Sequence, residues 1–81
     1  MTLEQTIELM TSDNYVDRFL AEYWQTKIRY DRLHKMCVQY EAGTLGFEPT
    51  CTLDILSRQA SHMGRYLKLM EIRAEQEGIK L

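Results

Sequence analysis

The chain has 81 residues, 44% hydrophobic and 27% charged, which is the balance of a folded domain and not of a disordered one. Its net charge of -2 and pI near 5.6 exclude a global attraction to nucleic acid or anionic lipid, and no apolar run approaches the roughly 18 residues that a membrane span needs. A chain this short has room for one domain and buries only about 60% of its unfolded surface, a thin margin that small helical proteins often widen by oligomerising.

In chain order, Thr2 followed by Gln5 has the form of a capping box and predicts a short helix over about 3–10. Thr11, Ser12, Asp13 and Asn14 then offer N-caps for a long helix over about 13–41. Within it, Val16, Phe19, Tyr23, Thr26, Tyr30, Leu33, Cys37 and Tyr40 recur at alternating steps of three and four, the a/d stripe of a heptad repeat. Gly43 is placed to end that helix. Gly43, Gly46 and Pro49 mark a loop over 42–51. Thr50 or Thr52 caps a second long helix over about 52–77, striped by Leu53, Leu56, Ala60, Met63, Leu67, Met70 and Ala74. The expected fold is all-α, an antiparallel two-helix hairpin with a short N-terminal helix.

Two helices zipped along one seam should leave few apolar residues off it. Here Leu20, Trp24 and Ile28 form a second ridge on the first long helix, and Ile55, Tyr66, Leu69 and Ile72 lie off the stripe of the other. The N-terminal segment, with Leu3, Ile7, Leu9 and Met10, is large enough to cover one of these surfaces, giving a three-helix monomer, but not both. Uncovered apolar area of this kind marks an interface. The expectation is a homo-oligomer, a symmetric dimer or a higher closed ring.

Charge is also uneven. Acids gather toward the open end of the hairpin, whereas residues 27–35 hold Lys27, Arg29, Arg32 and Lys35 against Asp31 alone, and residues 58–68 hold Arg58, Arg65 and Lys68 without an acid. Antiparallel pairing sets residue 30 level with residue 63, so both stretches fall at one height and form a positive belt carrying Tyr30, His34, His62 and Tyr66. Guanidinium groups bind phosphate bidentately, and aromatic rings stack on bases. The candidate ligand-binding residues are therefore Arg58, Arg65 and Lys27 toward phosphate, with His62, Tyr66, Tyr30 and Trp24 toward a base. The bland alternative is a solvated helix face. A belt this short, flanked by acid, tracks few phosphates of an extended nucleic acid.

No nucleophile stands beside a base in a recognisable motif and no glycine-rich phosphate loop occurs, so the chain is not expected to be an enzyme, and no cofactor is implied. His34, Cys37, Cys51 and His62 match no zinc spacing. With no basic-then-apolar leader and only two cysteines, the expected setting is the cytosol, with both thiols reduced.

Leu56-Ser57-Arg58-Gln59, followed by Met63, Tyr66 and Arg73, resembles a family of short helical-hairpin proteins of tailed phages and prophages, named after a crAss-like phage gene product. The similarity covers most of residues 13–78, with Glu22 or Asp17 standing for an acid near the start of the first helix. Gly64 and Cys37 depart from the pattern. The resemblance implies a phage gene expressed in a bacterial cytoplasm. Small phage proteins of this sort often counter host defence, one way being oligomers that sequester cyclic nucleotide signals. The function expected is such sequestration, without catalysis. The alternative is a protein-interaction module that inhibits a host defence protein or serves as a phage structural adaptor, using Trp24, Ile28 and Leu69 as its face.

Overall fold

A computed structural model describes residues 1–81 as three helices and no strands: α1 (Leu3–Met10), α2 (Tyr15–Ala42) and α3 (Leu53–Glu77). Each helix starts at a side-chain cap. Thr2 and Gln5 close a reciprocal capping box on α1, with the Thr2 N–H donating to Gln5 Oε1 at 2.8 Å and the Gln5 N–H donating to Thr2 Oγ1 at 3.3 Å. Asn14 Oδ1 accepts from the Val16 N–H at 2.8 Å, and Thr52 Oγ1 accepts from the Ile55 N–H at 3.3 Å. Both long helices end at a glycine with positive φ, Gly43 at 76° and Gly78 at 70°, where a side chain would be strained. Two bonds close each end. Thr44 and Gly43 donate to the carbonyls of Gln39 and Tyr40, the pair of a Schellman motif, whereas Ile79 and Gly78 both donate to Ala74, so the glycine makes the single bond of the αL motif.

α2 and α3 pack as the antiparallel hairpin that the two stripes anticipate. Phe19, Tyr23 and Cys37 are buried from the first stripe; Ala60, Leu67, Met70 and Ala74 are buried from the second. The densest packing lies toward the open end, where Phe19, Tyr23, Leu67, Met70 and Ala74 form one cluster with Trp24, Tyr30 and Ile79 against it. Toward the loop only Cys37 and Ala60 are buried, and Val16 and Tyr40, at the two ends of the first stripe, are exposed.

The register is fixed at Tyr30. A Cβ built on Gly64 would meet the Tyr30 ring at 3.3 Å, so the glycine makes room for the phenol where the helices approach. Residue 30 is thus level with 63–64, and the two basic stretches share one height. Both cysteines are free thiols, Cys37 buried and Cys51 exposed. No helix is long and apolar enough to cross a membrane.

α1 lies on α2 and does not pack on α3. Thr6 and Ala21 are both buried, and the Thr6 hydroxyl donates to the Leu3 carbonyl at 2.6 Å, so the buried polar group is satisfied. Leu20, Trp24 and Ile28 become half-buried. The N-terminal helix therefore docks on α2 within its own chain, beside Gln25 and Arg29, and leaves the ridge of α3 bare: Ile55 is 46% exposed, Tyr66 43%, Leu69 61% and Ile72 44%. The result is a thin slab of 43 × 25 × 16 Å.

Candidate functional site

Three tyrosine–glutamate hydrogen bonds rivet α2 to α3. The hydroxyls of Tyr15, Tyr23 and Tyr66 donate to Glu77 (2.8 Å), Glu71 (2.6 Å) and Glu22 respectively. At the open end, Arg73 donates to Glu77 Oε2 at 3.3 Å and to the Tyr15 hydroxyl at 2.5 Å, while its guanidinium lies 5.0 Å from the centre of the Phe19 ring. Burial, together with the Glu71 carboxylate that accepts its proton, pushes the Tyr23 phenol up to about 12. The bonds to Glu77 and Glu22 likewise raise Tyr15 and Tyr66 above the ordinary phenol value. Glu22, Glu71 and Glu77 are thus structural acceptors, a role that composition alone does not signal. Asp17, the other acid near the start of α2, accepts from the Ser12 hydroxyl at 2.8 Å.

The seven candidate ligand residues divide between two faces, and Trp24 lies toward the open end, well along the axis from Arg58. On the side of α2, Lys27 pairs with Asp31 at 3.1 Å and lies 5.8 Å from the centre of the Tyr30 ring. Tyr30 in turn stacks on His34, with ring centres 5.7 Å apart and 15° between planes. Trp24 stands edge-on to Tyr23 at 5.2 Å and packs against the core cluster. Below Tyr30 and His34 a shallow cavity of about 250 Å³ reaches Cys37, Ser57, Ala60 and Ser61.

Arg58, His62 and Arg65 stand instead on the exposed face of α3, turned away from α2. Their spacing of four and three residues sets them in one row. Arg58 pairs with Asp54 at 3.2 Å, with both side chains well exposed, so the pair exchanges readily for another anion. Neither His62 nor Arg65 has an ion-pair or hydrogen-bond partner. No ion pair joins the Lys27 group to the Arg58 row. Tyr66 lies beside the row with its hydroxyl held by Glu22, which orients the ring while leaving it 43% exposed.

The apolar face expected from Trp24, Ile28 and Leu69 together does not form, because Trp24 packs against the core cluster while Leu69 lies on the far side of α3. The largest concavity, about 590 Å³ around Ala74, Glu75 and Gly78–Leu81, holds none of the candidate residues. The exposed basic row Arg58, His62 and Arg65, more than any enclosed volume, therefore defines the site.

Fold and site together define a class: small all-α hairpin proteins whose outer helix face combines cations, an oriented tyrosine and bare aliphatic side chains. Within that class the chain belongs to the Sequestin family, whose model matches residues 13–76. The matched stretch takes in α2, the loop and nearly all of α3 and leaves out α1. No curated protein matches the chain, and no solved structure does either.

Proposed function

We propose that this protein captures a cyclic nucleotide between assembled copies and holds it without turnover, as a phage-encoded protein that disarms a nucleotide-signalled defence inside the bacterial cell. The observation that carries this reading is the row Arg58, His62, Arg65, exposed and flanked by the oriented ring of Tyr66. Guanidinium groups supply bidentate bonds to phosphate, and a fixed aromatic face supplies a stacking surface for a base. The family name, Sequestin, is consistent with sequestration. The resemblance of the second long helix to a phage-encoded family supports the phage origin in this reading.

Capture alone suffices for such a role. A sink at a concentration above that of the signal lowers its free level by mass action, with no chemical step. Calorimetric titration against a panel of cyclic di- and trinucleotides, followed by chromatography of the recovered ligand, tests the reading. Saturable heat with unchanged ligand is expected. No heat from any of the panel at micromolar protein ends the proposal, and a new product peak replaces capture with hydrolysis.

A second reading takes its support from Leu69 and Ile72, which are bare enough to seat a protein partner. In that case a stoichiometric host protein co-purifies with the wild-type chain and is lost with Leu69→Asp.

A further inference from the structure

The outer face of α3 carries a second heptad seam of its own: Ile55, Arg58, His62, Arg65, Leu69 and Ile72 step by three, four, three, four and three. Unlike the inner stripe it has no partner, because α1 reaches only α2. The row also reads nearly the same in both directions, with aliphatic ends and a basic centre. A palindromic seam suits an isologous two-fold contact, in which position i meets j and j meets i. Antiparallel pairing sets Ile55 against the partner's Ile72, Arg58 against the partner's Leu69 and His62 against the partner's Arg65. Parallel pairing would instead oppose each cation to its own copy.

The surface area supports an occupant of this size. The chain exposes 5916 Å², whereas a compact monomer of 9.6 kDa would expose about 5,100 Å². The excess of about 800 Å² equals the area that each partner contributes to an interface of standard size. The seam is about 25 Å long at 1.5 Å per residue, so it can hold most of that area.

We propose that two copies of this chain pair antiparallel through the outer seam of α3, and that the pairing assembles a phosphate-binding site on the two-fold axis that neither copy holds alone. The inference rests on the reading of Arg58, His62 and Arg65 as phosphate-binding residues. Pairing brings four guanidinium groups and two imidazoles within a span of about 16 Å, and the one carboxylate touching them is Asp54 on Arg58. The aliphatic ends draw the helices together while the basic centre holds them apart. An anion that bridges the two rows removes the repulsion, so binding and pairing tighten each other. A ligand with two phosphate groups related by a two-fold axis fits this arrangement, because each row meets one phosphate.

The test begins in a Cys51→Ser background, which removes the exposed native thiol and leaves Cys37 buried. Under mild oxidation the double variant Ile55→Cys/Ile72→Cys forms a covalent dimer, while each single variant stays uncrosslinked. Single variants that crosslink as well as the double overturn the antiparallel seam. For the anion site, the dimer dissociation constant is measured by sedimentation velocity in sodium pyrophosphate and in sodium chloride of matched ionic strength. A fivefold or greater tightening by pyrophosphate, abolished by Arg65→Glu, is expected; a smaller change overturns the shared site. A cyclic nucleotide that binds one chain at one-to-one stoichiometry sinks this inference and leaves the proposed function standing. A pyrophosphate-tightened seam dimer that binds no cyclic nucleotide does the reverse.

Discussion

Raising the pH from 9 to 12 should destabilise the hairpin chiefly through one phenol, that of Tyr23. It is 4% exposed, and its hydroxyl donates a hydrogen bond to Glu71 at 2.6 Å. In the unfolded chain a tyrosine ionises near 10, whereas burial and the carboxylate hold the folded group near 12. The folded state therefore keeps its proton more tightly. The corresponding stability is fully present below pH 10 and is lost as pH rises through 10 toward 12. Two units correspond to about 2–3 kcal/mol, set against a total of about 4–12 kcal/mol for a chain of this length. Tyr15 and Tyr66 shift in the same direction but are exposed, so water screens their share.

Tyr23→Phe removes both the proton and its acceptor bond. Glu71 then returns to water, and the cost at pH 8 should be about 1 kcal/mol. The assay is urea unfolding followed by helical circular dichroism, at one protein concentration, between pH 8 and 11.5. Wild type should lose stability steeply above pH 10, and the variant should retain most of what it has. The tyrosinate absorbance that wild type gains near pH 12 should be missing from Tyr23→Phe. Parallel pH profiles for the two proteins would refute the assignment of Tyr23 as the strained titrating group.

Other substitutions probe other parts of the account. Met70, 2% exposed at the centre of the core cluster, should cost about 3 kcal/mol when replaced by alanine, read from the urea midpoint. Gly64→Ala gains up to about 1 kcal/mol of helix propensity, offset by a shift of the Tyr30 ring that it meets at 3.3 Å, so its urea midpoint should stay near wild type. Gly64→Leu should destabilise by about 2 kcal/mol because the ring must leave the seam. Thr2→Ala breaks the capping box and should cost about 1 kcal/mol, seen first as faster hydrogen exchange in α1. Arg58→Ala and Arg65→Ala should each weaken cyclic nucleotide binding tenfold or more in calorimetry, with the urea midpoint unchanged because both side chains are exposed.

The hairpin was legible because its signals are local and repeated: caps at Asn14 and Thr52, stops at Gly43 and Gly78, and two stripes of three-four spacing. The register was legible too, since loop position alone sets residue 30 near residue 63. The packing density was not. Both stripes look uniform in sequence, yet the core gathers at the open end, where Phe19, Tyr23 and Met70 supply volume that Cys37 and Ala60 do not.

The tyrosine–glutamate bonds were hidden for a related reason. Glu71 and Glu77 read as surface acids until the register brings Tyr23 and Tyr15 beside them. The two basic stretches share one height, but a linear sequence does not show how they lie around the hairpin. Lys27 and Tyr30 face the hairpin's flank, whereas Arg58, His62 and Arg65 face away from it on α3. The signal that separates them was present in the spacing from Ile55 to Ile72, which repeats the heptad step on the outer face.

The central claim is that the bare outer face of α3 obliges copies to assemble, and sedimentation equilibrium tests it most directly. At 100 µM protein a particle of about 19 kDa or a larger multiple of the 9.6 kDa chain is expected, reduced to one chain by Leu69→Lys, which sets a further cation against the partner's Arg58. A wild-type particle that weighs 9.6 kDa across the whole concentration range would contradict it.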